Sequence, residues 1–499
     1  MPAIERVMFI NPPARESSFH DFVVTQPVGL GYLASVTRRN YQVKILDAVA
    51  LGREKERWIK WNYIEAGLTI DEIVEEVKKF NPQVVGISCL FSSHFLLVAG
   101  LAAAIKKQLK DIIIVTGGAH PSFMPEDSFR RAPELDYIVI GEAEESFPHL
   151  LQALATGSGL DAIDGLAWKD NGGVRINPKT RWIENLDSLP FPAWDLLPME
   201  RYFEINVPFM FYSKSPRNVS FITSRGCPFK CSFCSSCNYW GNRIRYRSIE
   251  NIIAEMKKLK TEFKIEELKF EDDNLLLNRE RAKRLFRAMI EEKLNFHWNM
   301  PNGAYVMSFL DEELVRLMKE SGCYEVVLAF ESGDQNVLDN IIHKPEDLSK
   351  AERVVKLLRD YHIGIHAFFI VGLPGETWEQ IKNTFSFPRR LKIDMPYFLL
   401  FNPLPGSELY DTCIKKGYYD PELVYYTNYC SNSITTDEFN PAQLRRLQYF
   451  YTLYRNVDLL ARNPKLVFTK YLRRVATRKN YRAIPRSIRT AFLSLLKND

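Results

Sequence analysis

The chain has 499 residues, of which 46% are hydrophobic and 25% are charged, a balance typical of globular proteins with buried cores. Its formal net charge of +5 is small for this length, so the composition gives no reason to expect a nucleic-acid partner. No apolar run approaches the roughly 20 residues that span a bilayer, and the first residues lack the long apolar core of a secretory signal. We therefore expect a cytoplasmic protein rather than an integral membrane one.

Short apolar runs alternate with helical patterns through residues 1–155. The clearest helix begins at Thr69 with a capping box to Glu72. The apolar runs are bounded by turn residues and are typical of buried parallel strands, at 7–10, 43–46, 84–88, 112–115 and 137–140. Strands that alternate with helices pair in parallel, so this region predicts a doubly wound α/β domain.

Residues 156–215 lose this alternation, and we expect a linker there, with glycine turns followed by the proline-rich stretch 189–198. A second alternation over residues 216–420 predicts six βα units, which form a partial (β/α)6 barrel. Its predicted strands lie at 219–223, 267–271, 296–299, 326–331, 363–371 and 397–401. From residue 421 to residue 499 the pattern is helical, aromatic and basic.

Four of the eight cysteines fall close together, at Cys227, Cys231, Cys234 and Cys237. In a chain of this length such a group indicates metal ligands rather than a disulfide framework. The first three have the spacing with which one loop can bind three corners of a cubane cluster, leaving the fourth iron open to a small molecule. The alternative is a structural zinc site with Cys237 as fourth ligand. The loop follows the first barrel strand, at the edge where barrel catalysis is sited, and this favours the cluster.

This loop resembles the defining motif of the radical S-adenosylmethionine (SAM) superfamily, and the resemblance covers residues 215–420. Further segments after later strands are similar to family elements: FEDDN at 270–274, FESG at 330–333, GLPGET at 372–377 and NPLPG at 402–406. The resemblance implies that Cys227, Cys231 and Cys234 ligate a [4Fe–4S] cluster, whose open iron binds SAM.

Contacts to SAM are expected within the same segments. Phe233 matches an aromatic that lies near the adenine in the family. A carboxylate of Asp272 or Asp273 can accept hydrogen bonds from the SAM ammonium, and Glu331 and Ser332 can bind the ribose hydroxyls. Gly372 permits close approach of the backbone, and Asn402 is a further candidate. The alternative is that the two aspartates cap the following helix and the glycines only turn the chain.

The strand ends of the first domain carry small and polar residues where an open α/β sheet binds ligands. Together these segments resemble the cobalamin-binding domain of class B radical SAM methylases, notably at 117–121 and 141–145. The resemblance implies cobalamin contacts from Pro13, Ser92, Ser93, Gly117, Gly118, His120, Gly141 and Glu142. The alternatives are a domain that has the fold without the cofactor and, for His120, a residue that only fixes its loop.

Many cobalamin proteins carry an Asp-x-His-x-x-Gly motif whose histidine ligates cobalt from below. His20 is followed by Asp21 and lacks that spacing, so we do not expect it to ligate cobalt. A non-ligating side chain is expected there instead, and Leu90 and Phe91 are the candidates.

The resemblance implies that SAM is cleaved to methionine and a 5′-deoxyadenosyl radical, and that methylated cobalamin delivers a methyl group to an unactivated carbon. Cobalamin-dependent oxidation, cyclisation or rearrangement is the alternative within enzymes, and a zinc-stabilised binding protein is the alternative outside them. The expected partners are a small-molecule substrate, hydrophobic or amphiphilic, and an electron donor such as flavodoxin or ferredoxin. Trp298 and His366 are candidates for substrate contact or for the barrel core.

Residues 462–499 contain eleven lysines and arginines but only one acidic residue, Asp499. Apolar residues are interleaved with these charges, so a helix here has an apolar and a basic face. Such a helix could rest on anionic lipid as a peripheral membrane contact, or hold an amphiphilic substrate near the barrel. The alternative is a terminal helix that packs its apolar face on the barrel and leaves its charges in solvent.

Overall fold

A computed structural model of the protein describes residues 3–17, 23–60, 63–206, 213–393, 395–427 and 434–462. The strands of its first part are β1 (Arg6–Asn11), β2 (Ala14–Ser17), β3 (Gln42–Asp47), β4 (Glu56–Lys60), β5 (Tyr63–Ala66), β6 (Val84–Ser88), β7 (Ile113–Gly117), β8 (Tyr137–Val139), β9 (Leu166–Asp170) and β10 (Gly173–Asn177). The helices are α1 (Val28–Thr37), α2 (Ala48–Leu51), α3 (Ile70–Phe80), α4 (Phe95–Gln108), α5 (Ala119–Phe123), α6 (Pro125–Arg131), α7 (Ser146–Thr156) and α8 (Met199–Ile205).

The main sheet of this part has the order β10-β9-β8-β7-β6-β1-β3. All five predicted strands are present and pair in parallel, from β8 through β3, which confirms the doubly wound α/β fold. The capping box of α3 is also confirmed, because Thr69 and Glu72 each accept a hydrogen bond from the other's backbone. A small antiparallel sheet, β2-β5-β4, lies beside the main one and was not predicted.

The main sheet extends beyond the predicted boundary at residue 155. Strands β9 and β10 join it in antiparallel orientation, with β9 paired to β8. Further along, the Tyr202 hydroxyl donates to Asp47 Oδ2 (2.5 Å), which ties α8 to the end of β3. Trp194 instead donates to Glu255 Oε1 (2.9 Å) of the second part, so the segment 156–206 contacts both parts of the chain.

The second part forms the predicted partial barrel. Its strands are β11 (Asn218–Phe221), β12 (Ser224–Arg225), β13 (Arg245–Tyr246), β14 (Glu267–Phe270), β15 (His297–Ala304), β16 (Cys323–Glu331), β17 (Gly364–Val371) and β18 (Met395–Leu400). Its helices are α9 (Ser236–Trp240), α10 (Ile249–Phe263), α11 (Arg279–Glu291), α12 (Glu312–Glu320), α13 (Gln335–Val337), α14 (Ala351–Asp360), α15 (Trp378–Arg390), α16 (Glu408–Lys415) and α17 (Pro441–Arg462). Six strands pair in parallel in the order β11-β14-β15-β16-β17-β18, which confirms the six βα units.

Side chains cover both edges of the open barrel sheet, where backbone groups would otherwise lack partners. At β11, the Gln26 side chain from the first domain donates to Asn218 O (3.1 Å) and accepts from Ser220 N (3.1 Å). At β18, Gln448 and Arg455 of α17 donate to the carbonyl oxygens of Phe398 and Pro396. The first domain and α17 thus complete the two ends of the barrel sheet.

Within the described ranges, no helix combines the length and the apolar character needed to cross a membrane. His20 and the basic tail beyond Arg462 lie outside the described residues, so the expectations for them are not tested by the structure.

Candidate active site at the domain interface

The cysteine loop leaves the barrel directly after β12. Gly226 opens it with φ +91°, and a Cβ there would lie 2.5 Å from the Arg243 carbonyl oxygen, so only glycine fits. Cys227, Cys231 and Cys234 follow as free, half-buried thiols. Ser232 anchors the middle of the loop, because its amide donates to Ile342 O (2.9 Å) and its hydroxyl to Ile341 O (2.5 Å).

Burial sets the protonation of these thiols. It raises the pKa of Cys231 and of Cys234 to about 12, and it raises the pKa of Cys227 as well. The neighbouring Lys344 ammonium acts in the opposite direction at Cys231. Iron binds thiolates, so cluster assembly here releases protons and is favoured by higher pH. Across the described residues, no three His, Cys, Asp or Glu side chains are arranged to hold a single metal ion.

Asp272 is tied to the residues just before the cysteine loop. It is 4% exposed, and its Oδ1 accepts from Thr223 N, from Thr223 Oγ1 (2.7 Å) and from Ser224 Oγ (2.5 Å), while Oδ2 accepts from Thr223 N at 3.2 Å. These bonds fix the chain just before the cysteine loop. The contact between Asp272 and the SAM ammonium stays a prediction.

Asp273 is half-buried and joins the two ends of the same loop. Its Oδ2 accepts from Gly226 N (3.1 Å), and its Oδ1 accepts from Ser236 Oγ (2.8 Å). Gly226 directly precedes Cys227, the first cysteine of the motif, and Ser236 follows Cys234, the last one. Asp273 therefore braces the loop, which the sequence did not reveal.

Of the residues expected to bind the SAM ribose, Glu331 is half-buried at the end of β16. Its φ is +65°, an uncommon value that persists only where surrounding contacts impose it. The buried Lys344 pairs with its Oε1 (3.0 Å). Ser332 is fully buried and shares a hydrogen bond with Thr384 Oγ1 (3.0 Å), and its contact with the ribose stays a prediction.

The other SAM candidates lie around the same barrel mouth. Phe233 and Asn402 are half-buried. Gly372 has φ +82°, and its amide donates to Glu376 Oε2 (2.7 Å). Burial raises the pKa of Glu376 to about 8, so this carboxyl holds its proton at neutral pH. Its second oxygen has no hydrogen-bond partner among the described residues.

The carboxyl edge of the first sheet exposes apolar surface. Leu90 and Phe91, just after β6, are 59% and 42% exposed. Gly118, after β7, has φ +113°, and a Cβ there would lie 2.4 Å from Cys89 O, so glycine lets the two strand ends approach closely. A large flat cofactor such as cobalamin would cover this apolar surface, so the edge fits it. The remaining candidates at this edge are Pro13, Ser92, Ser93, Gly117 and Gly141.

His120 is buried beside the residues after β6. It is 2% exposed, its Nδ1 lies 2.8 Å from Ser92 Oγ, and its ring packs between Phe95 (4.5 Å) and Tyr425 (5.5 Å). Burial lowers its pKa to about 3, which keeps the imidazole neutral. These contacts favour the alternative in which His120 fixes its loop, and its contact with cobalamin stays a prediction.

Glu142 bonds across the domain interface. It is 3% exposed, and its two oxygens accept from Arg225, from Arg245 and from Ile183 N. Burial alone would raise its pKa, but the two guanidinium groups hold the pKa below its usual value. Arg225 and Arg245 belong to the barrel and Glu142 to the first domain, so these bonds join the two parts of the chain, and the cobalamin contact of Glu142 stays a prediction.

The two carboxyl edges therefore face each other. The Tyr239 hydroxyl of α9 donates to Gly141 O (3.2 Å), and Gly406 packs so closely on the Phe123 ring that a Cβ would lie 2.4 Å from it. The loop after β8 thus contacts α9, which follows the cysteine loop, and α5 contacts the loop after β18. This arrangement brings the predicted cobalamin edge to the predicted cluster.

Deeper in the barrel, the two residues considered for substrate contact differ. Trp298 is fully buried, stacks on Phe286 (4.9 Å) and donates to Ser321 Oγ (3.1 Å), so it belongs to the core. His366 is also buried, and its Nε2 lies 3.1 Å from Glu325 Oε2 on the barrel floor.

Residues 221–387 match the radical SAM superfamily, and residues 23–151 match the B12 binding domain. The chain is 34% identical over 453 residues to cytidylyl-2-hydroxyethylphosphonate methyltransferase of Streptomyces wedmorensis, covering 85% of this chain and 84% of that one. The chain belongs to the cobalamin-dependent radical SAM family. It is a radical SAM enzyme, and its cofactors are a [4Fe–4S] cluster, SAM and cobalamin.

Two further comparisons agree with this family. An uncharacterized methyltransferase of Pyrococcus horikoshii is 35% identical over 416 residues, with 82% of this chain and 83% of that one covered. The fold is shared with the radical SAM methyltransferase TsrM of Kitasatospora setae, a structure solved with cobalamin and a [4Fe–4S] cluster. The TM-score is 0.65 at 18% identity, over 83% of this chain and 75% of that one.

Proposed function

We propose that this radical SAM enzyme transfers a methyl group to an unactivated carbon of a small molecule. The observation that supports it is the contact between the cysteine loop and the carboxyl edge of the first sheet, across Arg225 and Glu142. A cluster that generates a radical and a cobalamin that carries a methyl group would then share one cavity. Relatives that match most of the chain are named methyltransferases.

Within this proposal, Cys227, Cys231 and Cys234 hold the cluster, and the rest of their loop stays fixed by Asp273 and Ser232. SAM is held at the barrel mouth by Glu331, Gly372, Phe233 and Asn402. Cobalamin lies on the edge formed by Pro13, Ser92, Ser93, Gly117, Gly118 and Gly141. The bound cofactors supply the radical and the methyl group, and the protein supplies orientation and the exclusion of water.

The barrel interior supports a substrate with an apolar part. Phe368 and Tyr397 are half-buried, alternate with core residues on β17 and β18, and pack their rings 5.6 Å apart. Ile222 and Leu399 are also half-buried on this side. A hydrophobic or amphiphilic small molecule matches such a wall better than a highly charged one does.

The test is anaerobic turnover with SAM labelled in its methyl group, a reducing system and candidate substrate extracts. Methyl transfer predicts a product that carries the label and gains the mass of one methylene group. An unlabelled product that has lost hydrogen or has a new ring would instead support the oxidative alternative. Cys227→Ala protein loaded with cobalamin is the control, and it should give no labelled product.

The cluster needs an external electron, and we propose a flavodoxin or ferredoxin as its source in the cytoplasm, where thiols stay reduced. Either protein should support turnover in place of a chemical reductant. Failure of both, with turnover by the chemical reductant intact, would argue against this class of donor.

A peripheral membrane contact is proposed for the far end of the chain. Helix α17 exposes an apolar stripe, with Phe450 and Val457 each 61% exposed, Leu453 53% and Leu460 55%. The basic sequence 462–499 follows it directly. Flotation with liposomes should require anionic lipid, weaken with salt and decrease after truncation before Arg462. Flotation that is unchanged by truncation would exclude a role for the tail.

A further inference from the structure

A buried ion-pair network joins the first domain to the cysteine loop. Arg225 lies two residues before Cys227, and its guanidinium spans two carboxylates of the loop after β8. Its Nη1 donates to Glu142 Oε1 (2.9 Å) and its Nη2 to Glu144 Oε1 (2.6 Å). These three side chains are at most 7% exposed. The position of the first cysteine is thus fixed directly by the first domain.

A second arginine extends the network to the other end of the loop. Arg245 donates from Nη1 to both oxygens of Glu142 (2.8 and 2.7 Å) and from Nη2 to Trp240 O (3.1 Å). Trp240 ends α9, the helix that follows Cys234. Glu142 therefore holds the chain on both sides of the three cysteines.

The balance of charges in this network indicates that it orients the cysteine loop rather than adding to the stability of the fold. Two carboxylates and two guanidinium groups cancel in formal charge, and a buried ion pair often stabilises a fold no more than apolar residues would. Removing one partner is different, because it leaves a buried charge without compensation. Each guanidinium is a rigid planar group that bonds in two directions, Arg225 to two carboxylates and Arg245 to Glu142 and the Trp240 carbonyl, so the network holds the loop in one position relative to the first domain.

We propose that Glu142 and Glu144 are positioning residues that hold the cysteine loop in register with the cobalamin-binding edge, so that radical formation stays coupled to methyl transfer. The inference rests on the cofactor assignment and on the proposed methyl transfer. A loosened loop would still cleave SAM, but the radical would meet substrate and cobalamin in the wrong geometry. Deoxyadenosine would then form without product. A residue with only a stabilising role would lower both yields together.

The experiment compares Glu142→Gln and Glu144→Gln with the parent holoenzyme, all reconstituted with both cofactors. Glu145→Gln is the matched control, because Glu145 is an exposed carboxylate of the same loop. The first readout is hydrogen exchange of the peptide 226–240, which needs no substrate. The second is the ratio of 5′-deoxyadenosine to methylated product.

We expect Glu142→Gln to raise exchange of peptide 226–240 and the deoxyadenosine ratio several-fold, with smaller increases in Glu144→Gln and none in Glu145→Gln. The proposal is overturned if Glu142→Gln binds both cofactors and yet shows the same hydrogen exchange and the same deoxyadenosine ratio as the parent. If Glu142→Gln does not fold, Glu144→Gln decides in the same way, since it removes one carboxylate charge beside Arg225 and leaves both arginines paired with Glu142. If no methylated product forms even with the parent enzyme, the methylation proposal fails, and the exchange readout still decides whether the network holds the loop.

Discussion

Three cysteines of one loop carry the cluster in this account, and a fourth lies only a few residues away. Cys237 sits in α9, where its thiol contacts Asn238 Oδ1 at 3.8 Å. Cys227, Cys231 and Cys234 are held together by the Ser232 anchor and by the Asp273 brace. Alanine variants of the three loop cysteines should therefore behave differently from an alanine variant of Cys237.

Replacing Cys227, Cys231 or Cys234 with alanine should abolish the broad absorption near 400 nm that is expected of a [4Fe–4S] cluster. Cys237→Ala should keep the absorption and the iron content of the parent. Both quantities are measured after anaerobic reconstitution. Loss of the cluster in Cys237→Ala, with retention in Cys227→Ala, would show that the ligand assignment is wrong.

The cobalt environment follows from a second set of residues. The apolar pair Leu90 and Phe91 is exposed at the proposed cobalamin edge, and His120 is 2% exposed, with its Nδ1 bonded to Ser92 Oγ. Electron paramagnetic resonance of the Co(II) form should therefore lack the superhyperfine splitting that an axial nitrogen causes. Clear nitrogen splitting, or failure to bind cobalamin at all, would contradict the assignment. Leu90→His is the positive control, since its imidazole places a nitrogen that can ligate cobalt where Leu90 is now exposed.

At the residue level, the sequence predicts the cluster ligands because their motif is local. It does not reveal the buried partners of Asp272, Ser332 and Glu142, since those partners are distant in the chain. Asp272 bonds to a residue 49 positions away, Ser332 to one 52 away and Glu142 to one 83 away. A carboxylate after a strand looks the same in sequence whether it binds a ligand or a buried arginine.

At the level of elements, the loop between β17 and α15 holds a buried, protonated carboxyl. Glu376 accepts from the amides of Gly372 and Leu373 (2.7 and 3.0 Å) and is fully buried. Burial raises its pKa from 4.5 to about 8. The folded state therefore keeps a proton that the unfolded state loses over this range. The contribution of Glu376 to stability is largest at low pH and is lost as the pH rises toward 8.

Glu376→Gln should remove this pH dependence, because the amide oxygen still accepts from the two backbone groups and no charge can form. Relative to the parent, the variant should gain up to about 1.4 kcal/mol of unfolding free energy per pH unit between pH 6 and 8. Denaturant titrations at three pH values measure the difference. Parallel profiles for parent and variant would show that the carboxyl is not protonated in the fold.

The elements themselves were predictable where burial is continuous. The five parallel strands of the first sheet contain apolar runs, and the barrel strands are largely buried, although β14 carries Glu267 and Lys269. Strands β9 and β10 were missed because only Leu166, Ala167 and Trp168 of β9 are buried, and β10 has no buried residue. The small sheet was missed because β2 and β4 are rich in charged residues and β5 is only four residues long.

At the scale of the whole molecule, function depends on the contact between two carboxyl edges. Each edge was predictable from its own strands and loops. The network of Arg225, Arg245, Glu142 and Glu144 that joins them was not, because a sequence does not show which charges meet across an interface. The structure supplies this link, and it supports the proposal that both cofactors act on one substrate.

The measurement that tests this central claim most directly is the stoichiometry of SAM use in an anaerobic reaction with substrate. One SAM should serve as radical source and a second as methyl donor. The account predicts equal yields of 5′-deoxyadenosine, S-adenosylhomocysteine and methylated product. Deoxyadenosine and a changed product without any S-adenosylhomocysteine would contradict it.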